Sequence, residues 1–273
     1  MLLIFSRLLN SILPSFLYKK IKKNFYYFKN YKYRKYDLSK DLKYNEDTLK
    51  KINIDVERIK NVFKKLNIDY YDQSLSWHYQ IFCGLSDYFL SKEIKVNNIL
   101  EIGTFDGKFA NFLSKIYPNS EITTIDLKQS DEKFKNSYSR EDNNIREKFL
   151  QKRTDYLNKS NINFIEMDST LIKENFKSKK FEMIWVDGDH LDPQVSTDII
   201  NSLDLINSSS LICVDDVMLY EDNFIKIKNC TNESYKTLKY LEGQNKIKNL
   251  YLLKRIIKSN AQGKKYISIS IKK

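Results

Sequence analysis

The 273-residue sequence predicts an α/β fold: a doubly wound, mostly parallel seven-stranded sheet with an N-terminal helical extension. Three observations predict it. From residue 96 onward, short β-branched runs alternate with segments whose apolar residues recur at helical spacing, the rhythm of parallel strands joined by right-handed crossovers. Ahead of them, residues 46–95 carry helical periodicity and no strand runs. The balance of 41% hydrophobic and 30% charged residues, with only six Gly and three Pro, is that of a globular chain with a sizeable core.

Taken in order, residues 1–45 form a basic amphipathic segment. Leu2, Phe5, Leu9, Ile12, Leu13 and Phe16 fit one helix face, and the polybasic stretch KKIKKNFYYFKNYKYRK follows. Arg7, Asn10 and Pro14 break the apolar run too early for a membrane-spanning helix, and the charges follow it, the reverse of a secretory signal. An apolar face with a basic flank is the composition of an interfacial membrane anchor; packing on the body or on a second copy of the chain is the alternative. Nine of the 47 basic residues and none of the 35 acidic ones lie in 1–36, so the rest of the chain carries a surplus of only three positive charges. A nucleic-acid footprint over the whole domain is therefore not indicated. Cys83, Cys213 and Cys230 show no CxxC spacing, which fits a reducing compartment. The expected location is cytoplasmic, peripheral at the inner face of the membrane.

Residues 46–95 are expected to form a helical cap. Val56, Ile59, Val62, Phe63 and Leu66 share one face, and a second helix follows Ser76. Trp77, His78 and Tyr79, just ahead of the first strand, are candidates to line a cofactor or acceptor pocket; a buried helix is the alternative.

Residues 96–273 carry the sheet. Strands are expected at 96–104, 121–127, 162–168, 181–188 and 209–217, and two more in the C-terminal stretch around a loop containing Gly263. Residues 128–158 read as a polar helical insertion near the ligand edge. The first strand ends in Glu101-Ile-Gly103-Thr104-Phe-Asp106-Gly107, followed by a helix. Two glycines allow a tight turn and close backbone approach to a ligand. Their spacing is not GxGxxG, which favours a ligand without a pyrophosphate. Asp126, ending the second strand, can accept both hydroxyls of a ribose, and Asp168 with Ser169 can meet an adenine edge.

The fourth strand ends in Asp187-Gly188-Asp189-His190 and the fifth in Asp215-Asp216. Adjacent parallel strands bring Asp187, Asp215 and Asp216 to one edge. With no Lys or Arg nearby in sequence, such a cluster calls for something positive; a metal-free site whose acids bind only substrate or water is the alternative. Oxygen-only donors favour a hard divalent ion, Mg²⁺ before Mn²⁺ or Ca²⁺. His190 stands where it can take a hydroxyl proton near neutral pH.

The motifs EIGTFDG at 101–107, TIDL ending near Asp126, MDS at 167–169 and VDGDH at 186–190 resemble those of class I S-adenosylmethionine-dependent methyltransferases, a Rossmann-like family. The resemblance implies Glu101 near the methionine amino end, the Gly103–Thr104–Gly107 turn against the cofactor, and Asp126 on the ribose. DGxH with paired acids is further similar to metal-dependent O-methyltransferases acting on sugars of macrolides, and to the wider group with the catechol and caffeoyl-CoA enzymes. Carried over, His190 is the base and Asp187, Asp215 and Asp216 hold the metal. The expected activity is therefore a Mg²⁺-assisted O-methylation of a sugar hydroxyl in a glycan, glycolipid or glycosylated metabolite. The alternatives are an amine or phenol acceptor, or a degenerate fold acting as a basic membrane- or nucleic-acid-binding protein.

Overall fold

Residues 38–70, 76–219, 232–254 and 265–273 are described by a computed structural model. The expected basic segment 1–36 and the Gly263 loop lie outside them. The apolar runs form β1 (Asn98–Ile102), β2 (Glu121–Asp126), β3 (Ile162–Glu166), β4 (Phe181–Val186), β5 (Ile206–Val217), β6 (Ile247–Leu253) and β7 (Tyr266–Lys272). They pair in the order β3-β2-β1-β4-β5-β7-β6. β1 to β5 are parallel, and β7 runs antiparallel to both β5 and β6.

The chain winds outward from β1 to β3, then returns to β4. The switch point between β1 and β4 opens a crevice at their carboxyl ends, where this architecture binds ligands. Both central strands are buried on two faces, which is why they read as continuous apolar runs. Ile99, Met183, Trp185 and Cys213 pack toward one layer, and Leu100, Ile102, Ile184 and Val214 toward the other.

The helices are α1 (Leu38–Lys50), α2 (Val56–Lys65), α3 (His78–Ser91), α4 (Lys108–Ile116), α5 (Glu132–Asn136), α6 (Asn143–Leu157), α7 (Ile172–Asn175), α8 (Gln194–Asp204) and α9 (Glu233–Gly243). In α2, Asp55 caps the Glu57 amide and Val56, Ile59 and Phe63 are buried, as their spacing requires. The insertion folds into α5 and α6. Helix α1 passes through position 45 and covers the edge strand β6. Asn45 both donates to the Leu253 carbonyl (3.0 Å) and accepts from the Leu253 amide (2.8 Å), so the exposed edge is partly satisfied. Among the described residues, no helix is long and apolar enough to cross a membrane.

Candidate active site

A cavity of about 720 Å³ opens at the carboxyl edge of β1, β2 and β4. Gly103, Asp126, Asp168, Ser169, Asp187 and His190 all line it, while Glu101, Thr104 and Gly107 do not. Its volume suits a nucleoside-sized ligand.

Gly103 sits at φ +99°, and a Cβ there would lie 2.3 Å from the Asp187 carbonyl oxygen. The turn can pass between β1 and β4 only without a side chain. Phe105 follows at φ +49°, and its amide donates to Asp126 Oδ2 at 3.1 Å. The Leu127 amide donates to Asp126 Oδ1 at 2.8 Å. Two backbone amides thus orient the Asp126 carboxylate toward the cavity. Burial pushes this carboxyl above the usual range, although Arg153 lies 3.6 Å away.

Glu101 is 1% exposed and accepts a hydrogen bond from the Thr124 hydroxyl. The Thr104 hydroxyl lies 2.7 Å from that same group. Burial pushes the Glu101 carboxyl up to about 8. Asp168 caps the following turn, with Oδ1 accepting from the Thr170 amide and hydroxyl. Ser169 accepts from Gln194, which also donates to the buried Asp198. Burial pushes Asp198 up to about 6.

At the other end of the cavity, the register of β5 on β7 shifts between Val214 and Val217, and Asp216 adopts φ +52°. In a regular strand Asp215 and Asp216 would point to opposite faces. The irregularity lets both reach one partner. That partner is Lys254, whose Nζ binds Asp215 Oδ2 and lies 2.6 Å from Asp216 Oδ1. Lys265 Nζ pairs with Asp216 Oδ2. Despite burial, the Lys254 ammonium holds the Asp215 carboxyl well below the usual range. Burial, with the Asp215 charge beside it, pushes Asp187 well above that range. His190 Nε2 lies 3.8 Å from both Asp187 Oδ1 and Asp216 Oδ2.

Asp187, His190 and Asp215 each bring a donor atom within 4.8 Å of the others. The expected Mg²⁺ set of Asp187, Asp215 and Asp216 is divided differently. Both oxygens of Asp216 and one of Asp215 are held by ammonium groups. The remaining trio includes an imidazole, which is not the donor set of a hard ion. These residues do not fit an oxygen-only Mg²⁺ site. The expectation rested on the lack of a nearby cation in sequence, and the fold supplies two, from just after β6 and just before β7.

Trp77 packs edge-on against Tyr70 at 5.7 Å, His78 stacks on Trp185 at 5.6 Å, and Tyr79 meets Phe112 at 4.7 Å. None of the three lines the described cavity. The sequence reading missed Lys254, Lys265, and the wall formed by Phe105 and Tyr138 with ring centroids 4.9 Å apart. The available signal for the lysines was position: Lys254 directly follows the β6 run and Lys265 directly precedes β7.

The segment from β1 through β5 matches a family model described as a methyltransferase domain, over residues 100–217. No curated protein matches the sequence significantly. Among solved structures, one from Staphylococcus aureus, provisionally described as a caffeoyl-CoA O-methyltransferase, superposes with a TM-score of 0.52 and 19% identity, covering 87% of this chain and 100% of that one. The O-methyltransferase TomG from Streptomyces achromogenes, involved in tomaymycin synthesis and solved with S-adenosylmethionine, gives 0.50 and 13%, covering 85% and 98%. At these identities the likeness is one of fold, a Rossmann-like methyltransferase sheet with N-terminal helices. The matched segment ends at Val217, so Lys254 and Lys265 lie outside it.

Proposed function

We propose that this chain is an S-adenosylmethionine-dependent O-methyltransferase whose acceptor is a sugar hydroxyl of a glycan, glycolipid or glycosylated metabolite. One observation carries the reading: Asp126 and His190 line the same cavity, so a ribose-binding acid and a proton acceptor serve one ligand space. When bound, S-adenosylmethionine supplies an electrophilic methyl group on its sulfonium. Asp126, held by two amides, would accept the ribose hydroxyls, and Asp168 and Ser169 would meet the adenine. Glu101 would answer the cationic amino end.

His190 takes the acceptor's hydroxyl proton at Nε2. The positive ring so formed faces carboxylate oxygens of Asp187 and Asp216 at 3.8 Å. Acceleration then comes mainly from positioning and from this fixed charge arrangement. The exposed Phe105 and Tyr138 rings give the cavity an apolar wall beside polar groups, a lining suited to a sugar ring. The basic composition of residues 1–36 supports presentation of a lipid-linked acceptor at an anionic surface. Equal vesicle binding with and without that segment would remove this last part.

The test is transfer of a labelled methyl group from S-adenosylmethionine to a panel of sugar, phenol and amine acceptors. The label is expected on a sugar hydroxyl, with turnover falling about 100-fold or more in His190→Gln while S-adenosylhomocysteine still binds. Label on an amine, or undiminished turnover in His190→Gln, would overturn the proposal.

A further inference from the structure

The acid cluster at the ends of β4 and β5 needs positive charge, and the chain provides it. We propose that Lys254 is the fixed counter-cation of this site, an ammonium standing where the sequence alone called for a divalent ion, so that the site is complete without a metal. The location rests on the reading above; the charge argument does not.

Lys254 is no wandering surface lysine. Its side chain is 13% exposed, against 3% for Asp215 and 12% for Asp216. Its main chain is held on both sides. The Lys254 amide donates to the Lys265 carbonyl at 2.9 Å, and its carbonyl accepts from the Trp77 amide at 2.8 Å and the Ser76 hydroxyl at 3.4 Å. The preceding Leu253 is clasped at amide and carbonyl by Asn45. Helix α1, the start of α3, and β7 therefore converge on one residue and fix where its ammonium stands.

Burying such a cluster is tolerable only when the geometry is good and the charges balance. Lys254 bridges two carboxylates, and Lys265 takes the second oxygen of Asp216. A divalent ion at Asp187, His190 and Asp215 would stand beside an ammonium already bound to one of its ligands, and like charges at such range repel strongly. Lys254 is thus a positioning residue. It holds Asp215 and Asp216, and Asp216 in turn faces His190.

The experiment titrates the full chain with Mn²⁺ alone and reads free Mn²⁺ by electron paramagnetic resonance. Wild type is expected to leave Mn²⁺ free. Lys254→Met is expected to bind one equivalent at least about tenfold more tightly than wild type, and Lys254→Arg to behave as wild type. Adding Asp215→Asn to Lys254→Met should abolish the gain. Circular dichroism checks folding, and Lys254→Gln takes the place of Lys254→Met if the latter does not fold. Stoichiometric Mn²⁺ binding by wild type that Asp215→Asn removes would overturn the proposal. So would a folded Lys254→Met or Lys254→Gln with no gain. S-adenosylhomocysteine binding is read on the same wild-type sample. Its absence would count against the methyltransferase reading and leave the Mn²⁺ result to judge the cation.

Discussion

At the Asp126 end of the cavity a carboxylate is held by backbone amides, whereas at the Asp215 end carboxylates are held by lysine side chains. The Phe105 and Leu127 amides that orient Asp126 lie within 21 positions of it. The lysines on Asp215 and Asp216 come from 38 to 49 positions away. An amide donor orients a carboxylate without cancelling its charge; Arg153 stands 3.6 Å from Asp126 and is shared with Glu166. An ammonium cancels the charge and leaves little for a further cation. One end is proposed to receive a ligand, and the other is balanced before anything arrives.

The comparison breaks most visibly at the turn that joins the two ends. Gly103→Ala combines a 2.3 Å clash with backbone and a φ of +99°. It should cost about 4 kcal/mol of stability and eliminate S-adenosylhomocysteine binding, as read by denaturant unfolding and calorimetry. Next comes Lys254→Met, which leaves buried carboxylates uncompensated and should destabilise by about 3 kcal/mol in the same unfolding assay. Asp126→Asn sharpens the contrast. It should change stability by less than about 1 kcal/mol, since Arg153 keeps Glu166 at 3.7 Å, yet weaken S-adenosylhomocysteine binding about tenfold, because its proposed role is toward the ligand. A loss of stability equal to that of Lys254→Met would erase the distinction between the two ends.

The last effect is a slope with pH. Burial raises the Glu101 carboxyl from 4.5 to about 8 in the fold, so the folded state prefers it protonated. Its contribution is full below the unfolded value and is lost as pH rises toward about 8. Wild type should therefore lose stability relative to Glu101→Gln across that window, by at most about 1.4 kcal/mol per pH unit. Parallel pH–stability curves for the two proteins would contradict this.

The same contrast explains what could be read from sequence. The strands from β1 to β5, the Gly103 turn and Asp126 were legible because strand, turn and acid adjoin one another in the chain. Lys254 and Lys265 were not, because their partners come from pairing β7 between β5 and β6, a long-range event without a local signature. The irregularity at Asp215 and Asp216 was equally hidden, since two acids at a strand end do not announce that both turn the same way. Trp77, His78 and Tyr79 were read as candidate pocket residues from their chemistry. In the fold they pack against Tyr70, Trp185 and Phe112, because α3 buries most of its circumference. Part of α1 was assigned to the basic segment, yet its Asn45 is what clasps the strand carrying Lys254 into place.

The most direct measurement is calorimetric titration of S-adenosylhomocysteine into the full chain and into Asp126→Asn, without added metal. One equivalent is expected to bind to wild type, with binding weakened about tenfold in the variant. No binding by wild type, or equal affinity in the two proteins, would contradict it.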